Sequence, residues 1–166
     1  MYTADYFINK LGLEAHVEGG YFKEVYRNEL EISTEAYPIP FEGERALSTT
    51  IYFLLKSGQV SKFHKLKFDE LWFYHYGCPI MIHMLDEQGG YQKVKLGLDL
   101  EKGETPQVLV PANVIFSAEP LAEDSFSLVS CLVSPGFDFR DFLLYDGNTL
   151  REMYPEHEEV IRRFNG

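Results

Sequence analysis

His64 and Glu70 stand close together in the run Gly58-Gln-Val-Ser-Lys-Phe-His64-Lys-Leu66-Lys-Phe-Asp69-Glu70. Side chains two apart on a strand face the same way, so His64 points with position 66, and a turn brings Glu70 in from the next strand. A carboxylate beside an imidazole raises its pKa, orients its tautomer and makes it a general base. Proton transfer by His64, with Glu70 as orienting partner, is the first expectation; a histidine satisfied in the core is the alternative. Trp72 and Tyr74 share parity with Glu70 and would line the same cavity or fill its core. Asp69 has the opposite parity and would cap the turn or pair with Lys65 or Lys67. His75 also has the opposite parity, so a pocket role for it requires a bulge. Gln107 can both donate and accept, which suits a sugar hydroxyl or an amide, or it is an edge-strand glutamine.

These residues need strands to hold them. From Ser48 to Val133 the pattern is strand throughout: 48–55, 60–65, 70–76, 79–85, 91–96, 107–110, 114–117 and 126–133. Turns at Lys56-Ser-Gly58, Gly77, Gln88-Gly-Gly90 and Glu101-Lys-Gly103 give the short spacing of a sandwich or barrel, with no βαβ alternation. Tyr21–Arg27 reads as a first strand after a bend at Gly19-Gly20. That pair is no phosphate cradle, because no helix follows it. Thr3–Leu11 reads as a short amphipathic helix with Thr3 as N-cap and Gly12 as its stop. Residues 28–44, with Pro38 and Pro40, read as a solvated excursion. The segments from Asp146 and from Pro155 read as helices packed outside the barrel, the second with Pro155 in its first turn. Pro135-Gly136-Phe137-Asp138-Phe139 reads as a corner whose aromatics cover a pocket mouth or a dimer contact.

The 166 residues suit one domain, 1–166, able to bury a core without staples. Aromatics make up 15% of the chain, which suits strands or an aromatic-lined cavity. The net charge of −11 disfavours a nucleic acid or an anionic membrane as partner. Met1-Tyr-Thr-Ala-Asp lacks a basic leader, and no apolar run approaches the roughly 20 residues of a spanning helix. Cys78 and Cys131 are isolated among apolar residues and read as buried free thiols, so a cytoplasmic location is expected.

The run from Gly58 to Gly77 resembles the first motif of the cupin superfamily, G-x5-H-x-H-x3-E-x6-G, and Pro111-Ala-Asn113-Val-Ile-Phe116 resembles part of the second. In metal-binding cupins these motifs supply ligands. Here His64 and Glu70 keep two of the ligand positions, while Leu66 and Phe116 stand at the other two, short of the roughly three protein ligands of a catalytic site. No cofactor is therefore expected; a divalent metal would need His64 and Glu70 to be completed by His75, His83 or a glutamine. More specifically, the chain resembles the Cupin_5 family, formerly DUF985. The carrying runs are Glu18-Gly-Gly-Tyr-Phe22 with Tyr26-Arg27, Ser48-Thr-Thr-Ile-Tyr52, Asp69-Glu-Leu-Trp72, His75-Tyr-Gly77, Gln107–Pro111 and Cys131–Phe139, with Leu150 and Tyr154-Pro155.

The resemblance implies a mainly β fold, a double-stranded β-helix (cupin jelly-roll barrel) with short N- and C-terminal helices, paired as a homodimer and similar to RmlC-type sugar-nucleotide epimerases. The resemblance supplies no reaction; the leading expectation is a small polar metabolite, such as a sugar derivative, bound in the barrel and isomerised or epimerised without a metal. His64 would be the base, with Tyr52 or Tyr21 as the acid. Ser48, Thr50 and Tyr52 share one parity and would present hydroxyls to the ligand. Arg27 would hold an anionic group or pair with an acid, and Phe116 would narrow the cavity. The competing readings are a metal-dependent cupin enzyme and a non-catalytic binding module.

Overall fold

Thr3 and Gly12 bracket the first helix as their chemistry predicts. In the computed structural model, which describes residues 2–166, helix α1 (Ala4–Leu11) starts where the Thr3 hydroxyl accepts the Tyr6 N–H, and stops where Gly12 turns left-handed at φ 64°. Strands β1 (Glu14–Ala15) and β2 (Tyr21–Arg27) follow, then the short pair β3 (Glu31–Ser33) and β4 (Glu44–Ala46). Next come β5 (Thr49–Lys56), β6 (Ser61–Leu66), β7 (Asp69–Gly77), β8 (Ile80–Leu85), β9 (Tyr91–Leu96), β10 (Glu104–Thr105), β11 (Gln107–Val110), β12 (Ile115–Pro120), β13 (Phe126–Ser134) and β14 (Phe142–Leu144). The chain ends in α2 (Gly147–Met153) and α3 (Glu158–Asn165). Pro155 opens a single 3-10 turn ahead of α3 rather than the helix itself.

Two six-stranded sheets, β1-β2-β5-β13-β7-β11 and β10-β9-β8-β12-β6-β14, lie face to face in a jelly roll, and their ladders do not close into one continuous barrel. Between them sits the main core, built on Phe53, Trp72, Ile82, Phe116 and Val129. Strand β8 is buried along its whole length because α2 and α3 cover its outer side, where Leu85, Ile115, Leu150, Ile161 and Phe164 pack together. At the other sheet, Phe7, Ile8 and Leu11 of α1 pack on Leu13, Leu54, Phe126 and Leu128. No helix among the described residues is long and apolar enough to cross a membrane. Both cysteines are buried free thiols.

Residues 28–44 are more ordered than their prolines and acids suggest. Phe41 is buried in the main core, and β4 carries Arg45 into a buried ion pair with Asp141, just before β14. The Arg45 Nε–H donates to Asp141 at 2.6 Å, its Nη2 at 3.2 Å, and its Nη1 to the carbonyls of Glu42 and Glu44 at 2.7 and 2.9 Å. The pair anchors the chain that runs from Phe137 through Phe142. Arg45→Ala strands a buried carboxylate and is expected to cost roughly 3–5 kcal/mol in urea denaturation; a loss below about 1 kcal/mol would show that Asp141 finds water or Lys67 instead.

Candidate functional site

A cavity of about 380 Å³ opens beside β2, β5, β6, β7 and β13. Its walls are mostly apolar: Phe22, Ile51, Phe53, Leu66 and Val133, with Phe137, Phe139 and Phe142 towards solvent. Its buried end holds Glu18, His64, Glu70 and Trp72, with His16 alongside. Arg27, Glu24 and Asp138 ring the exposed side.

His64 is 2% exposed. Its Nδ1–H donates to the Lys62 carbonyl at 2.7 Å, which leaves Nε2 as the acceptor, 3.1 Å from Glu18 Oε2. Glu18, and not Glu70, is therefore the imidazole's partner. Glu18 arrives there because Gly19 and Gly20 hold left-handed φ of 115° and 75°, and a Cβ on Gly19 would lie 2.1 Å from the Val60 carbonyl oxygen. That close approach docks the segment on β6, where Lys62 N–H donates to the Glu18 carbonyl at 2.8 Å and the Ser61 hydroxyl to Glu18 Oε1 at 2.8 Å. His16 Nδ1 accepts the Glu18 N–H at 3.3 Å, and its ring meets Phe22 edge-on. Neither His16 nor Glu18 was expected as a site residue. The readable signal was the double glycine, which permits a backbone approach that carries its neighbours into the cavity.

Glu70 is 6% exposed and accepts the Trp72 indole N–H at 2.7 Å on Oε2. Phe116 is fully buried with its ring 4.1 Å from that of His64, so it backs the imidazole rather than narrowing the opening. Desolvation lifts Glu18 to about 7 and Glu70 to about 8, the second helped by the charge of Glu18, and lowers His64 to about 4. With Nδ1–H already given to Lys62, the geometry places the one proton of the Glu18–His64 pair on the carboxyl below about pH 7.

Several expected residues lie elsewhere. Strand β5 turns Thr49, Ile51 and Phe53 towards the cavity, so Thr50 and Tyr52 face the opposite side; the run Ile51–Leu55 is apolar on both faces because α1 covers one of them, which hid the true parity. Ser48 precedes the strand and its carbonyl accepts Asn28 N–H. Tyr21 alternates away from Phe22 and packs beneath Lys56. A bulge does interrupt β7 at His75, between Tyr74 and Tyr76, but His75 bonds Ser130 and meets Tyr52 on the outer face. Gln107 is exposed on the edge strand β11 while Val108 and Val110 turn inward. Arg27 reaches the rim, held bidentately by Glu24 at 2.9 and 2.7 Å.

The residues present do not fit the metal of the cupin motif. Leu66 and Phe116 fill two ligand positions with carbon, and His64 and Glu70 are engaged by Glu18 and Trp72. His75 and His83 lie on outer faces, His83 against Phe164 of α3, so neither completes a set. Among the described residues no group of three or more His, Cys, Asp or Glu is placed to hold a metal.

The raised carboxyls make stability depend on pH. Below about 8 the folded chain keeps protons on Glu18 and Glu70 that the unfolded chain releases near 4.5, so these groups stabilise the fold at low pH and lose that contribution as pH rises through about 7 and 8. The depressed histidines, His64 and His83 at about 4 with His16 and His75 lowered as well, act in the opposite sense, but only below about 6.5. The melting temperature is expected to fall from roughly pH 6.5 to 8.5, where only the carboxyls act, and to fall less steeply in Glu70→Gln. An unchanged slope in that variant would show that Glu70 ionises as an ordinary glutamate.

Comparisons with known proteins agree with this architecture. The Cupin_5 family, described as "Cupin superfamily (DUF985)", matches residues 5–145. "Uncharacterized protein YML079W" of Saccharomyces cerevisiae is 32% identical over 162 residues, spanning 84% of this chain and 74% of that protein. The crystal structure of protein SO0799 from Shewanella oneidensis is similar at a TM-score of 0.89 with 43% identity, covering 100% of this chain and 99% of that one. A hypothetical protein from Leishmania major gives 0.88 and 38%, with 98% of each chain covered. Oxalate decarboxylase from Bacillus subtilis shares the fold at a TM-score of 0.55 and 16% identity, over 90% of this chain and 36% of its own.

Proposed function

The chain belongs to the Cupin_5 family of the cupin superfamily, and on that basis we propose that its cavity binds a small metabolite and moves a proton on it, as an isomerase or epimerase, without a metal. The observation that carries this reading is the buried contact of His64 Nε2 with Glu18 Oε2 at 3.1 Å, beside a second buried carboxyl, Glu70. Burial drives the protonation behaviour of the two carboxyls apart from the ordinary, and paired titratable groups in a cavity are the usual machinery of acid–base catalysis.

The roles follow from the hydrogen bonds. Above about pH 7 the Glu18–His64 pair has released its shared proton and can take one from a carbon next to a ligand carbonyl. Glu70 still carries its proton there and, with Oε2 fixed by Trp72, donates from its other oxygen to the carbonyl as charge develops. Return of the proton from the pair to the neighbouring carbon, with Glu70 taking back a proton from the enediol hydroxyl, completes an isomerisation. Return to the original carbon completes an epimerisation only when the enediol first turns its other face to the pair, and neither course needs a redox partner. Glu70 thus takes the acid's part that Tyr52 or Tyr21 was expected to play, and Glu18 takes the orienting part expected of Glu70.

Incubation in D2O with a panel of aldoses, ketoses and other 2-hydroxycarbonyl compounds, followed by NMR, tests the proposal. Deuterium should enter one ligand at the carbon next to its carbonyl, at least about 100-fold more slowly with His64→Gln or Glu18→Gln. Exchange into none of them would refute catalysis and leave a binding module. The homodimer is also carried as a proposal: Val25, Tyr26 and Leu109 are exposed on the first sheet, and pairing would cover them. Light scattering should give twice the 19.2 kDa chain mass; a monomer at micromolar concentration would exclude it.

A further inference from the structure

Among the described residues, the cavity contains acids and aromatic faces but no cation free to meet an anionic ligand. The single arginine in its lining, Arg27, is closed off by both oxygens of Glu24 and by the Phe137 carbonyl at 3.2 Å. Arg140, close by, is held by both oxygens of Asp138 at 2.8 Å each. Among the described residues no lysine lines the space. A carboxylate or phosphate would have to displace one of these bidentate pairs, or enter beside Glu18 and Glu70 unpaired, which is costly in an apolar enclosure.

Glu70 supplies the opposite opportunity: without a ligand it carries a proton up to about pH 8, and against an entering ammonium it gives that proton up to solvent, the cation's charge taking its place. Both oxygens of Glu18 are occupied, one by Ser61 and one by His64. Glu70 has one oxygen on Trp72 and its other has no hydrogen-bond partner among the described residues, although the side chain is more than nine-tenths buried and lines the cavity. Around it stand Trp72, Phe53 and Phe22, with Phe137, Phe139 and Phe142 towards solvent, faces that attract a cation as well as an apolar body. The chain's net charge of −11 draws cations towards it at long range.

We infer that the cavity takes an organic ammonium ion with an apolar or aromatic body, its nitrogen set against the free oxygen of Glu70 and its body between the phenylalanines. This names the ligand class for the site and rests only on the reading that the cavity is where a ligand binds, not on turnover. A volume of about 380 Å³ holds a ring with a short amine tail, and the partial exposure of the outer phenylalanines, Phe139 at 59%, leaves a way in.

Calorimetric titration with three probes of one shape tests it: 2-phenylethylamine, 2-phenylethanol and 3-phenylpropanoate, each on the wild type, Glu70→Gln, Glu70→Asp and Ile51→Trp. The amine should bind at least about tenfold tighter than the alcohol, one hydrogen-bonded charge being worth that much, and the carboxylate should bind weakest. Glu70→Gln should abolish the preference and Glu70→Asp, which keeps a carboxyl able to ionise against the amine, should retain it; this separates charge recognition from a folding defect. Ile51→Trp, which fills the cavity, should remove all binding. Equal affinity for alcohol and amine, tightest binding of the carboxylate, or binding of none of the three would overturn the ammonium inference, and deuterium exchange into a carbonyl compound would still stand. Amine binding that survives Ile51→Trp would overturn both this inference and the use of the cavity as the ligand site.

Discussion

The contact of Gly19 with the Val60 carbonyl is the constraint on which the site depends. Only a residue without a Cβ can bring the segment before β2 that close to the start of β6, and the hydrogen bond from Lys62 to the Glu18 carbonyl then fixes it. The Glu18 side chain has nowhere to go but inward, where Ser61 and His64 satisfy it. A carboxyl so enclosed survives only with its polar atoms paired. The local backbone geometry and the electrostatics of the cavity are therefore one arrangement: loosening the glycines would remove the partner that gives His64 its protonation behaviour.

A second constraint acts from the other side. The Arg45–Asp141 pair ties β4 to the chain just before β14, and so holds the Phe137–Phe142 segment over the cavity. Arg27 adds a bond to the Phe137 carbonyl, and Thr49 accepts the Phe137 N–H at 2.8 Å. The aromatic wall towards solvent is thus built from three elements distant in sequence. Each contact alone is modest; together they decide how much of the buried end water can reach, and hence how far burial shifts its carboxyls.

The sequence shows the strands more clearly than the site. Alternation and turn residues locate β2 and the run from β5 to β13, because their apolar faces must meet in one core. The short strands β1, β3, β4, β10 and β14 carry too few residues for a period to show. His64, Glu70 and Trp72 are legible from spacing because each lies on a regular strand that keeps its parity. Thr50 and Tyr52 mislead because β5 is covered on both faces over part of its length, so hydrophobicity does not mark the inside. His16 and Glu18 are illegible for a different reason: they are placed by a loop whose path depends on a tertiary contact, and no strand period extends to them.

The two ligand positions filled by carbon change what the remaining residues can do. A metal would hold the His64 ring and the Glu70 carboxyl in fixed, charged partnership. With Leu66 lining the cavity and Phe116 set at a tilt against the imidazole at 4.1 Å, low polarity replaces that charge. His64 is kept neutral and its proton partner becomes a carboxyl from outside the motif. Glu70, released from a metal, is steadied by the Trp72 indole and keeps one oxygen for whatever enters. The same histidine and glutamate that serve as Lewis-base ligands in the metal-binding motif are thereby converted into a neutral acceptor and a carboxyl with one oxygen free to meet a ligand. Two apolar substitutions suffice because, in a dry enclosure, the identity of the neighbours sets the protonation state more strongly than the identity of the titrating group.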